Sequence, residues 1–183
     1  MITKFTTYIK ESRKSVEDLE MLNPEELGKL LCAEVSTRKP NLGYVQDILD
    51  VGCPINVRAK WGWTPIHLAA YLEELDVVEF LISRGAEVNA INDYGITALH
   101  YAAGSGDMPM VELLTSSGID IDIRSNDGKS ALYFAAHSGH VDVIKFLISR
   151  GGNIHDEDEF GLTAWDVAKP QTKEAVPELN PKA

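Results

Sequence analysis

Thr64-Pro65-Ile66-His67 returns as Thr97-Ala98-Leu99-His100, then as Ser130-Ala131-Leu132-Tyr133 and as Thr163-Ala164-Trp165-Asp166, each 33 residues after the one before. The glycines two residues upstream, Gly62, Gly95, Gly128 and Gly161, keep the same step, as do Gly52, Gly85, Gly118 and Gly151. A fixed internal period of tens of residues marks a solenoid, whose units bury their apolar faces only against their neighbours.

Each unit opens with a hydroxyl residue that can cap a helix by accepting from a free N–H of the first turn; in one unit proline follows at the first helical position. The runs Ile66-Leu68-Ala69-Ala70, Leu99-Tyr101-Ala102-Ala103 and Leu132-Phe134-Ala135-Ala136 mix large and very small apolar side chains. Such a helix can sit close to its neighbours in a stack. Gly106 and Gly139 allow the positive φ that ends this first helix. A second helix is expected over Val77–Ile82, Met110–Leu114 and Val143–Ile148, stopping at Gly85, Gly118 and Gly151.

The segments Gly62-Trp63-Thr64-Pro65-Ile66-His67-Leu68-Ala69-Ala70 and Gly85-Ala86-Glu87-Val88-Asn89-Ala90 resemble the two signature stretches of the ankyrin repeat, at that family's usual length. The resemblance covers roughly residues 23 to 169. It implies an all-α solenoid of helix-turn-helix units joined by hairpin-like loops, stacked into a curved slab, and it implies a protein-binding role.

Composition narrows the function classes. A formal charge of −11 argues against a nucleic-acid surface, which needs clustered Lys and Arg, and suits a basic or neutral protein partner. Cys32 and Cys53 make no disulfide framework and read as core thiols. No apolar run is long enough to span a bilayer, and the N-terminus lacks a secretory pattern. A cytoplasmic monomer is expected, with export as an effector left open.

Taken in order, residues 1–22 read as an amphipathic capping helix carrying Ile2, Phe5, Ile9, Val16 and Leu19, with no basic face for a membrane. Residues 23–57 form a degenerate first repeat with a small insertion around Pro40. Repeats two, three and four occupy 58–90, 91–123 and 124–156. In repeat two Glu73 replaces the helix-ending glycine, so either the turn is reshaped or a strain of about 1–2 kcal/mol is tolerated. From 157 to 183 the pattern restarts and then fails at Pro170, so a truncated capping repeat and a frayed tail are expected.

No chemistry is expected of this chain, and no cofactor or metal. His67 and His100 occupy the slot whose imidazole, in the family, bonds the neighbouring loop. His137 and His140 flank Gly139 at a helix end, with no cysteine to complete a zinc set. Asp156-Glu157-Asp158-Glu159 lacks the spaced ligands and central glycine of a calcium loop. Neither a Ser–His–Asp set nor a phosphate-cradling glycine loop is present. The resemblance also makes Asn89, with Leu81 and Glu87 at the matching spacing, a candidate acceptor for asparaginyl hydroxylation. The plainer reading is that its amide braces the hairpin.

In the family the residues beside the hairpin glycine and at the end of the first helix face a concave groove. Carried over, these include Lys60, Trp61, Trp63, Tyr71 and Leu72 in repeat two. Repeat three offers Asp93, Tyr94 and Ile96, and repeat four Lys129 and His137. Exposed aromatic side chains on loop tips are poorly explained by folding and dominate binding hot spots. For Trp61 and Tyr94 packing on the adjoining loop is an equal alternative, whereas Trp63 and Ile96 have less to pack on. The function expected is a non-enzymatic adaptor or inhibitor. The alternatives are a microbial effector using the same groove inside a host cell and an accessory domain of a larger enzyme.

Overall fold

A computed structural model describes residues 13–37 and 39–182. The chain falls into two compact units, Met1–Glu87 and Val88–Ala183. Of the expected N-terminal capping helix, residues 1–12, with Ile2, Phe5 and Ile9, lie outside the described residues.

In the first unit α1 (Val16–Glu20) and α2 (Pro24–Val35) each start on a capping box, Ser15 with Asp18 and Asn23 with Glu26. Reciprocal bonds of this kind satisfy two donors that the first turn leaves open. The Asn41 side chain accepts from the Tyr44 N–H at 3.1 Å and starts α3 (Leu42–Asp50), so the insertion around Pro40 ends at a cap. Then α4 (Pro65–Tyr71) and α5 (Leu75–Ser83) form the next helix pair. The α2 helix packs on α3 and α4, α4 on α5, and α1 on α3. Leu19, Leu31, Val35, Val45, Ile48, Ala69, Val78 and Leu81 are shut off from water and make the core.

The second unit repeats the scheme with α6 (Ala98–Ser105), α7 (Met108–Ser116), α8 (Ala131–Ser138) and α9 (Val141–Ser149). The α8 helix packs on α6, on α9 and on α10 (Ala164–Val167). Ala102, Ala103, Ala135 and Ala136 are fully buried, and side chains this small let the first helices approach closely. Four hairpin turns keep the period: the N–H groups of Ala59, Asn92, Ser125 and Asp158 donate to the carbonyls of Trp63, Ile96, Lys129 and Leu162 at 2.6, 3.0, 2.9 and 2.9 Å. Apart from two isolated bridges, all regular structure among the described residues is helical.

One expectation is overturned and one open alternative is decided. The tail after Pro170 is ordered rather than frayed: Pro170 is the first residue of α11 (Pro170–Ala175), and a short 3-10 turn follows at Pro177–Leu179. Val176 and Leu179 are fully buried there, so the tail covers apolar surface. At Glu73 the strain is tolerated. Its φ is 60°, and the next N–H, of Glu74, still reaches the Ala69 carbonyl at 3.0 Å. Asp107 to Ala102 and His140 to Ala135 are the equivalent bonds in the later repeats, also at 3.0 Å, where Gly106 and Gly139 hold the left-handed position. Keeping that bond forces the residue before it left-handed, at a cost of about 1–2 kcal/mol for a side chain other than glycine.

Candidate functional site

In the first unit the hairpin tip Lys60-Trp61-Gly62-Trp63 leads directly into α4. Trp61 is left-handed, at φ 58° and ψ 26°, and 54% exposed. The Lys60 ammonium lies 4.1 Å from the centre of its ring. Trp63 is half-buried and stands edge-on to Tyr71 at 5.4 Å and to His67 at 6.3 Å. The expected order is therefore reversed: Trp63 finds the helix that its own hairpin starts, while Trp61 stands more than half exposed. Tyr71 and Leu72, at the end of α4, are exposed, and Tyr71 joins the helix end to the hairpin through Trp63.

In the second unit Tyr94 and Asp93 are exposed, but Ile96 is buried, against the expectation that it had little to pack on. Its N–H donates to the Asn92 side-chain oxygen at 3.1 Å, as does that of Tyr94 at 2.9 Å, so Asn92 closes the turn as Asp158 does for Phe160 and Leu162. Lys129 is half-buried, bound to Asp127 at 2.6 Å and over the ring of Tyr133 at 5.6 Å. The bond to Asp127 holds the Lys129 ammonium above its ordinary value. His137 is exposed in the last turn of α8.

Sequence reasoning missed Phe160, at 75% exposure the most open aromatic side chain among the described residues, and Leu162 beside it. A signal was present: Phe160 continues the register of Trp61, Tyr94 and Asp127 at the same 33-residue step. Reading the last unit only as a cap hid it.

The buried polar groups are structural. The Thr97 N–H donates to His100 Nδ1 at 3.1 Å, which leaves the proton on Nε2 to be donated to the Lys129 carbonyl at 3.1 Å. His140 Nε2 donates to the Gly104 carbonyl at 3.1 Å in the same way. Tyr133, which stands in the histidine slot of its repeat, reaches Asp158 at 2.8 Å, and Asp166 in the last slot accepts from the Thr163 N–H at 2.9 Å. Asn89 is exposed, and its side-chain oxygen accepts from the Asp120 N–H at 2.7 Å. Asn56 with Glu87 and Asp122 with Asn153 make the same rung at 2.9 Å. Cys32 and Cys53 are buried, and burial pushes their thiols up to about 12 and about 11, out of nucleophilic range. Among the described residues no group of three or more His, Cys, Asp or Glu could hold a metal ion.

The family model for ankyrin repeats (3 copies) matches residues 31–125, 89–158 and 105–176, which together span most of the chain. No curated protein sequence matches it.

Proposed function

Since the chain belongs to the ankyrin-repeat family, whose repeats mediate protein–protein interaction, we propose that it is a non-catalytic adaptor or inhibitor that binds a protein through the exposed side chains of its hairpin tips and first-helix ends. The first unit offers Trp61, Tyr71 and Leu72, and the second offers Tyr94 and Phe160. The observation that carries this reading is Trp61: a large indole, more than half exposed, in a backbone conformation that opposes it. Folding alone favours glycine at such a position, and strain of this kind gathers at functional sites.

Affinity capture with the protein beside its Trp61→Ala, Tyr71→Ala variant, followed by titration calorimetry on the partner recovered, tests it. Truncating Trp61 should weaken binding by about 2 kcal/mol or more, as expected of an aromatic anchor, and Lys129→Ala by under about 1. Normal binding by the Trp61 variant would move the interface to another face.

A further inference from the structure

Trp61 and Glu73 are the two non-glycine residues with positive φ among the described residues, and both lie in repeat two, on either side of the Trp63–Tyr71 contact. The equivalents of Glu73 one and two repeats on are Gly106 and Gly139, so the same turn is made elsewhere by the residue it favours. Nothing in the described fold compensates for a side chain here. Glu73 is exposed, and no described residue donates to its carboxylate or pairs with it.

The apolar surface beside it, Tyr71 and Leu72, is open to water. The charges that follow it directly in the chain, Glu73, Glu74 and Asp76, are acidic. Glu74 follows Glu73, and burial, then Asp76, push its carboxyl above the ordinary value, with Lys39 opposing them. Lys60, from the hairpin, has its ammonium stacked on Trp61. A net charge of −11 adds a long-range field that favours a cationic partner.

Resting on the binding reading above, we propose that the Tyr71–Leu72 surface takes a basic segment of the partner, an arginine or lysine flanked by apolar residues, with Glu73 receiving the cationic head. Arginine suits this best, because a guanidinium lies flat on an exposed aromatic ring and forks onto a carboxylate.

The test is selection of phage-displayed random peptides on the full chain, followed by affinity measurement of synthetic selected peptides. The expected result is peptides carrying Arg or Lys beside an apolar residue, with affinity falling at least tenfold on Glu73→Gln and on Tyr71→Ala. Glu73→Gln removes the charge and keeps the backbone conformation, so its melting temperature should match that of the wild type. Glu79→Gln, an exposed carboxylate on α5, should leave affinity unchanged. Glu73→Gly should melt higher and bind as poorly as Glu73→Gln. Peptides without basic residues, or affinity indifferent to Glu73→Gln, overturn the inference. If such peptides still depend on Trp61 and Tyr71, the binding reading survives it. Loss with none of these variants, or a selection that returns no peptide, overturns both.

Discussion

Arg13 donates to Glu34 at 2.8 Å, and the carboxylate that it meets is fully shut off from water on the helix that opens the first repeat. The same Glu34 oxygen accepts from the Asn41 N–H at 2.8 Å, while the other has no described partner. Arg13 also lies 5.8 Å from the centre of the Tyr44 ring, and the Lys14 N–H reaches the Tyr44 hydroxyl at 3.2 Å. The segment before α1 is thus tied to α2 and α3 by one buried charge and one backbone bond. Arg13→Ala should destabilise by roughly 3 kcal/mol, because it leaves Glu34 charged and unpaired in the interior. Adding Glu34→Gln should recover part of that loss. Urea midpoints of the wild type, single and double variants measure it; a single variant as stable as the wild type would mean that water already reaches Glu34.

Tyr133 and Asp158 give a pH signature. Burial, then the bond to Asp158, pushes the Tyr133 hydroxyl up to about 12 from an ordinary value of 10.0. A raised folded value contributes stability that is fully present below pH about 10 and is lost as pH rises toward about 12. Asp158 goes the other way. Burial would raise its carboxyl, but the Leu162 N–H, the Tyr133 hydroxyl, the Phe160 N–H and Lys129 together hold it below 3.8. That contribution is present above the ordinary carboxylate value and fades as pH falls through the lower folded one. Tyr133→Phe should be less stable at neutral pH and lose less between pH 10 and 12 than the wild type does. Its acid-side loss should shrink as well. Melting temperatures across both windows decide it, and parallel curves would remove Tyr133 from the linkage.

Gly106 and Gly118 both have positive φ, at 79° and 86°, but only one is crowded. A β-carbon on Gly106 would lie 2.4 Å from His140 Nδ1, whereas one on Gly118 meets nothing within 4 Å. Gly118→Ala should cost about 1 kcal/mol, the backbone strain alone. Gly106→Ala should cost roughly 3, because the His140 ring must move and its bond to the Gly104 carbonyl goes with it. Equal denaturation midpoints for the two variants would show that the ring gives way freely.

Ala102 is fully buried on α6, which packs on α8. Ala102→Leu should destabilise by about 1–3 kcal/mol through overpacking. An unchanged urea midpoint would mean that the two helices can separate without loss.

The repeat, its length and its helix ends were legible without coordinates, because each is made by bonds local to the chain. A cap needs a hydroxyl within one turn of its helix, and a left-handed stop needs a glycine or its strain. Such requirements print themselves at a constant step, and so they carried the family as well. Glu73 shows the limit of that legibility: its departure was visible, but only the surviving Glu74–Ala69 bond shows which way it was resolved. Exposure just after the hairpin glycine was not legible, although the register just before it carries the exposed Trp61, Tyr94 and Phe160. Trp63, Ile96 and Leu162 share a register, yet Trp63 stands half-buried against Tyr71, Ile96 is buried and Leu162 is exposed. The buried pair of Arg13 with Glu34, and the ordered tail around Val176 and Leu179, were hidden for the same reason. Each depends on side chains distant in sequence that the folded chain brings within a few ångströms, and a periodic pattern records what every repeat shares rather than what one repeat meets.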